Sequence, residues 1–382
     1  ATLPRSRSGR HGSLALRGRY QSYEDFWQGH GPYPILFTKP HQARARAYLR
    51  HDLVEQHRST EKHLEERLLE LEPHLDFIDD AIPTIRSDLG TTLLPSGLGL
   101  GITVQPELQP WLTDHLDPER YLALPSPLRA EDLLRNEVSF AERFYRLFFE
   151  RQGRGEVAQT IVPYVPDTEG VFDLSHLVIG NDLLLLLSDR PQTAHRVQER
   201  SLELFLAGTR YFKDLLGQGP RHMVHGHGMP AGVWFPDTGA RISEDSCTLL
   251  SATMLREFCL PYIRRAAEPF GRLFLHYCGR HVDFLRLACE MPEISAVNLG
   301  NPEMYDLEEV LGLCGGTDTV YFGHLPRQGG EDPEAYLRRL ATLCRRQGAR
   351  LILVCDYEPR GGEEKRELVR AWHTLTEGGR GR

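Results

Sequence analysis

The sequence predicts an α/β protein, a single (β/α)8 barrel of the TIM type with an N-terminal helical extension. Two observations carry that prediction. From Leu273 onward, apolar runs of strand length alternate with amphipathic stretches, the pattern of parallel strands joined by right-handed crossovers. The chain, at 382 residues, also has room for one barrel of roughly 250 residues plus an addition in front of it. An open doubly wound sheet is the second choice. The expected division is a tail over 1–40, a helical extension over 41–80 packed on the barrel, and the barrel itself over 81–378.

The elements follow in order. The first 23 residues hold Arg5, Arg7, Arg10, Arg17 and Arg19 and no acid, which reads as a flexible tail, with a targeting segment or contact arm as the alternative. Gln42 to Leu75 reads as one long charged helix or a broken pair, with Leu49, Leu53, Leu64, Leu68, Leu71 and Leu75 at mostly helical spacing. A strand is expected at Leu100 to Val104, a helix around Ala130 to Arg151 with Phe140, Phe144, Leu147 and Phe148 on one face, and a strand at Thr160 to Val165. Helices near Leu174 to Leu187 and Gln192 to Leu216 come next, the second capped by Asp189 with Pro191 in its first turn. Arg221 to Gly228 reads as a loop and Gly232 to Ile242 as strands turning at Asp237 to Gly239. A helix from Ser251 to Phe270 should kink at Pro261. The closing series has strands at Leu273 to His276, Ala296 to Leu299, Val320 to Phe322 and Leu351 to Val354, with helices at His281 to Glu290, Asp306 to Leu313, Pro333 to Arg346 and Glu363 to Leu375.

Composition narrows the function. A net charge of −8 and a pI near 6.1 argue against a nucleic-acid binder, which needs a clustered basic surface. Small-molecule or protein partners are expected instead. The seven cysteines run only from Cys247 to Cys355 and form no disulfide framework, so a reducing cytoplasm is expected. The most apolar run, Leu183 to Leu187, is far below the roughly 20 residues of a membrane helix, and no membrane partner is expected.

The sharpest local signal is His276-Tyr277-Cys278-Gly279, where a strand runs out ahead of a helix. Side chains alternate along an extended backbone, so His276 and Cys278 share a side and can share one ion. Cys355 ends the strand Leu351 to Val354 and is expected to open onto the same face, where barrel active sites lie. One imidazole and two thiolates suit zinc, and three protein ligands leave a fourth position for a substrate. Glu244 and Asp245, just past the strand ending at Ile242, are candidates to fill that position or to act as a general base. Cys247 is a weaker competitor for the metal. His222, His225 and His227 read as a second metal site or as pocket lining, while Cys259, Cys289, Cys314 and Cys344 read as core thiols. Tyr164, Asn298 and His324 are candidate pocket walls, and Tyr357 and Glu358 candidate substrate contacts behind Cys355.

Ile242-Ser243-Glu244-Asp245-Ser246, Ser251, Phe258, Leu260-Pro261-Tyr262, His276-x-Cys278-Gly279, Asn298 and Gly300-Asn301-Pro302-Glu303 together resemble the uroporphyrinogen decarboxylase-like superfamily. Within it the chain is similar to the zinc-dependent methylcobamide:coenzyme M methyltransferase branch, whose ligand pattern is His-x-Cys and a distant Cys. Val162-Pro163-Tyr164, Gly170-Val171-Phe172-Asp173-Leu174 and Gly180 agree, and the resemblance spans about Ile82 to Glu358. It favours Glu244 over Asp245 as the acid beside the metal. The Arg-rich segment that binds tetrapyrrole carboxylates is missing around Asp79-Asp80-Ala81-Ile82-Pro83 and Gly90-Thr91-Thr92, which speaks against porphyrin decarboxylation. The resemblance implies methyl transfer between a corrinoid, free or on a partner protein, and a thiol or other small acceptor. The alternatives are a corrinoid-linked O- or N-demethylating methyltransferase, a zinc-binding lyase or decarboxylase, and a non-catalytic small-molecule binder.

Overall fold

The structure is a computed structural model that describes residues 9–37 and 50–378. Its strands are β1 (Ile35–Leu36), β2 (Ile82–Ile85), β3 (Ile102–Gln105), β4 (Leu108–Leu112), β5 (Val162–Pro163), β6 (Met223–His225), β7 (Ala231–Phe235), β8 (Thr238–Ser243), β9 (Arg272–Tyr277), β10 (Ile294–Leu299), β11 (Val320–His324) and β12 (Arg350–Val354). Its helices are α1 (Gly9–Trp27), α2 (Leu53–Arg58), α3 (Thr60–Leu71), α4 (Leu93–Gly97), α5 (Pro118–Leu122), α6 (Ala130–Leu133), α7 (Asn136–Gly153), α8 (Val171–Ile179), α9 (Asp182–Asp189) and α10 (Pro191–Leu215). The series ends with α11 (Ala252–Phe258), α12 (Leu260–Ala267), α13 (Val282–Cys289), α14 (Leu307–Gly315), α15 (Pro333–Gln347) and α16 (Gly362–Thr376).

Six parallel strands run in the order β1-β12-β11-β10-β9-β8, and a second sheet has the order β5-β2-β7-β6. This mixed α/β arrangement, with parallel strands and an outer layer of helices, is consistent with a TIM-type fold. The pairing among the described residues gives these two sheets and a separate β3-β4 hairpin, not one closed ladder of eight strands. Between the sheets run single bonds: the Asp80 amide donates to the Ile35 carbonyl at 3.0 Å, and buried Lys213 donates to the carbonyls of His222 (2.9 Å) and Gly239 (2.6 Å). The interior is filled by the rings of Phe235, Phe274 and Phe322, whose centroids lie 5.3–6.2 Å apart. Each such ring stabilises the fold by roughly 1.5–3 kcal/mol through burial.

Local chemistry sets the boundaries. Ser251 caps α11 by accepting the Met254 amide, Pro261 breaks α11 from α12, and Asp332 caps α15 ahead of Pro333. The helix α10 begins at Pro191 after Arg190, which makes no side-chain cap; Asp189, the expected cap, is instead the last residue of α9. Arg221 to Gly228 is not all loop, since Met223–His225 pair with β7.

The N-terminal stretch departs most from expectation. Residues 9–37, expected as tail, hold α1 and β1, and β1 extends the parallel sheet beside β12. Tyr23 and Phe26 are buried, Arg19 pairs with Asp80 at 3.0 Å, and the Trp27 indole donates to the Trp234 carbonyl at 2.8 Å. Apolar Tyr23, Phe26 and Trp27 stand at helical spacing behind the arginines, which is why the basic segment folds onto the barrel. Of the charged stretch expected over 42–75, residues 42–49 lie outside the described residues, and the rest breaks into α2 and α3 at Ser59, which caps α3. No single helix among the described residues is long and apolar enough to cross a membrane.

Candidate metal centre

Strands β8, β9 and β10 end side by side, and their last residues and the turns beyond them build the centre. The ladder continues past β8, where the Glu244 amide donates to the His276 carbonyl at 2.9 Å, and this delivers Asp245 to the end of β9. The ligand atoms of Asp245, His276 and Cys278 lie within 4.8 Å of one another. His276 Nε2 is 3.5 Å from Cys278 Sγ and 3.8 Å from Asp245 Oδ1. The Cys278 amide donates to Asp245 Oδ1 at 2.7 Å, so the Asp245 carboxylate is held by the backbone of the neighbouring ligand.

The partner of His276 fixes its tautomer. Asn298 Nδ2 donates to the Phe322 carbonyl at 2.6 Å, which turns Asn298 Oδ1 toward His276 Nδ1, also at 2.6 Å. Nδ1 therefore carries the proton and Nε2 presents a lone pair to the cluster. Burial, with the Arg241 charge next, pushes His276 down to about 3, which keeps the imidazole neutral. Burial first, and then Asp245, push the Cys278 thiol up to about 11. A cation at the cluster would invert that second effect, because it stabilises the thiolate. Gly300 makes the space: a Cβ there would lie 2.4 Å from Cys278 Sγ.

Glu244 does something other than expected. Its Oε1 accepts the amides of Val171 (2.8 Å) and Phe172 (3.4 Å), and its Oε2 accepts that of Asp173 (3.0 Å), so it caps α8. Asp173 answers by accepting the amides of Asp245 and Ser246, each at 2.7 Å. This reciprocal clamp commits both Glu244 oxygens to backbone, and Asp245 takes the place by the metal ligands that sequence reasoning gave to Glu244. Gly170 is required by it, since a Cβ there would lie 2.3 Å from the Glu244 carboxyl carbon. Burial, then Asp245, push Asp173 up to about 7.

Cys355 is not brought to the cluster. It follows the last residue of β12, and the ligand atoms that meet are those of Asp245, His276 and Cys278 without it. Cys355 is buried, and it helps burial raise the Tyr336 phenol on the outer helix α15.

Among the other candidates, Tyr164 is buried with its hydroxyl accepting the Gly228 amide at 3.1 Å, and Arg86 lies over its ring at 5.8 Å. His324 stands at the end of β11, and Tyr357 donates to Glu364 at 3.1 Å on the start of α16. The three loop histidines do not form one cluster: His222 packs on Trp234, while the rings of His225 and His227 lie 5.8 Å apart and that of His227 lies 4.3 Å from His276. Cys247 faces Cys259, sulfur to sulfur at 3.2 Å, away from the ligands.

Two features were missed in the sequence. Arg86 and Arg241 share Asp167 beneath the centre, and Arg86 also binds Asp88 at 2.7 Å. Glu169 is buried at φ +57°, with an Oε1 that has no hydrogen-bond partner among the described residues. Burial, followed by Asp173, Asp245 and Glu244, holds its carboxyl well above the usual range. Nothing in the sequence marks a left-handed glutamate.

Fold and site thus define a mixed α/β protein, consistent with a TIM-type fold, with a candidate metal centre at the carboxyl ends of its parallel strands. No family model matches the sequence, and a search of curated proteins returns no match. Among solved structures the chain is similar to a methyltransferase from Methanosarcina mazei, with a TM-score of 0.63 over 94% of this chain and 98% of that chain, at 15% sequence identity. At that identity the likeness speaks for the fold.

Proposed function

We propose that the chain is a zinc-dependent methyltransferase that moves a methyl group between a corrinoid and a thiol or other small acceptor. The observation that carries this reading is the meeting of His276 Nε2, Cys278 Sγ and the Asp245 carboxylate around an imidazole whose other nitrogen is committed to Asn298. A nitrogen, sulfur and oxygen set of this kind fits zinc, and three protein ligands leave room for a substrate atom. The methyltransferase that shares the fold supports the reaction class, and the His276-x-Cys278-Gly279 pattern supports the branch.

Zinc bound here would hold a substrate thiol as its thiolate at neutral pH. The protein's own part is positional. Asn298 aims the imidazole, the clamp of Glu244 and Asp173 fixes the turn that carries Asp245, and Gly300 leaves space for the sulfur of Cys278. Arg86 and Arg241, with Asp88 and Asp167, form a part-buried ion-pair network.

The test is metal content of protein purified without added zinc, together with thiol and methylated-substrate panels in the presence of a corrinoid. About one zinc per chain, falling at least about tenfold in Cys278→Ser and His276→Ala, is the expected result. Protein without zinc, or variants that keep it, would remove the reading. Metal without any change in the corrinoid's visible spectrum across both panels would leave a zinc-binding lyase or small-molecule binder instead.

A further inference from the structure

One cavity is lined by none of the metal-centre residues. It has a volume of about 540 Å³ and opens between α2, the strand β3 and the first turns of α7. That is ample for a small organic molecule. Its walls are apolar, with Val54 on one side, Leu100, Ile102 and Val104 on another, and the ring of Phe140.

Two kinds of polar group interrupt these walls. Inside are Glu137 and His57, whose side chains are only 4% and 7% exposed and lie 3.7 Å apart. Glu137 Oε2 accepts the Thr92 hydroxyl at 2.5 Å, but Glu137 Oε1 and His57 Nε2 have no hydrogen-bond partner among the described residues. At the mouth are Arg58 and Arg143, both exposed and without a salt bridge among the described residues; Arg143 lies 5.9 Å from the centroid of Phe140. The first turn of α7 lines the cavity too, with its Glu137 amide donating to Ser96 Oγ at 3.3 Å.

We infer that this cavity is a binding site for a small amphipathic carboxylate. The apolar body lies against Val54, Leu100, Ile102 and Phe140, while the carboxylate is met by Arg58 and Arg143 at the mouth. A single negative charge suits the site better than a dianion, because the inner end carries Glu137. Burial raises that carboxyl to about 7, which makes it a hydrogen-bond donor toward a neutral group and a poor neighbour for a second charge. Nothing in this argument uses the metal centre, so it stands or falls separately from the methyltransferase reading.

The test is isothermal titration calorimetry at pH 7 on the full chain with octanoate, using octylamine, octanol and inorganic phosphate as comparisons. Saturable one-to-one binding of octanoate is expected, with octylamine and phosphate giving none and octanol binding more weakly. Arg58→Ala with Arg143→Ala removes two exposed side chains and should weaken octanoate at least tenfold. Val104→Trp should abolish binding by filling the cavity, and far-UV circular dichroism would confirm that each variant is folded. Absence of saturable octanoate binding overturns the proposal. So does equal binding of octylamine, or an arginine variant that binds as well as the parent.

Discussion

The metal centre and the N-terminal helical layer both bury polar groups and differ in which of them are answered. At the ligands the groups are answered, since Asn298 serves both His276 and a carbonyl and Glu244 and Asp173 cap each other's segments. Around them Glu169, His225, Arg86 and Arg241 each keep a buried atom without a partner among the described residues. In the layer of α2, α3 and α7, His57, His63 and Glu137 each keep a buried nitrogen or oxygen without a partner among the described residues. An unanswered buried group costs roughly 1–3 kcal/mol, a penalty that the layer carries on the groups lining its cavity and the centre carries around its ligands instead of on them. The centre has the marks of a rigid scaffold for chemistry, whereas the layer has those of a surface whose polar groups await something.

If the centre is that tightly determined, adding one methyl group should break it. Gly300→Ala puts a Cβ 2.4 Å from Cys278 Sγ, and β10 leaves no freedom for the backbone to retreat. Zinc affinity should fall by at least about 100-fold, the upper end of what neighbouring changes usually produce. A competition assay with a chromophoric chelator measures it. An alanine variant with parental affinity would show that the sulfur has room to move and that the centre is looser than described.

The layer can be broken by pH. Glu137 has a folded pKa raised to about 7 by burial, above its unfolded value. Its contribution to stability is therefore fully present below about 4.5 and is lost as pH rises through 7. Glu137→Gln cannot ionise and so escapes that loss. Relative to the parent it should gain up to about 3 kcal/mol between pH 4.5 and pH 8, on the scale of 1.36 kcal/mol per unit. His57 runs the other way: burial lowers it to about 4, so its contribution is present above about 6.5 and is lost as pH falls toward 4. Urea titrations across that range separate the two, and a flat difference between parent and Glu137→Gln would show that this carboxyl is not desolvated.

How much of this the sequence disclosed follows the same divide. From β8 to α16, strong apolar runs, helix caps and Pro261 mark each element, and every strand and helix expected after Leu273 is present. His276 and Cys278 were legible because two residues on one strand share a face. Asp245 was visible only as half of an acidic pair, since which carboxylate turns inward depends on amides of α8 seventy residues away in sequence. The N-terminal region was less legible because its order is tertiary. Arg19, which reads as part of a basic tail, folds because Asp80 waits for it, and Glu169 takes a left-handed backbone that only its surroundings impose.

A gentler disturbance of the centre comes through Asn298. Asn298→Ala leaves every ligand in place but frees His276 Nδ1, so the imidazole loses its fixed tautomer and aim. Affinity for zinc should drop about 10- to 100-fold, with the fold intact by circular dichroism. Asn298→Asp keeps an acceptor toward Nδ1 and should recover most of the loss. If both variants behave like the parent, His276 is oriented by packing against His227 instead.

The smallest expected effect is the one that separates the observed cluster from the motif. The His-x-Cys pattern with a distant cysteine makes Cys355 a ligand; the structure gathers Asp245, His276 and Cys278 without it. These accounts predict different spectra. With Asp245, His276 and Cys278 as the protein ligands, zinc-edge X-ray absorption of the resting protein should show one sulfur at about 2.3 Å, and Cys355→Ser should change zinc content by less than about twofold. With Cys355 included, the parent shows two sulfurs and the serine variant one. Asp245→Asn completes the test, because it removes an anionic oxygen ligand only in the first account. A second sulfur in the parent would mean that zinc draws the end of β12 across the mouth of the barrel, and the centre would then be assembled by its metal instead of waiting ready for it.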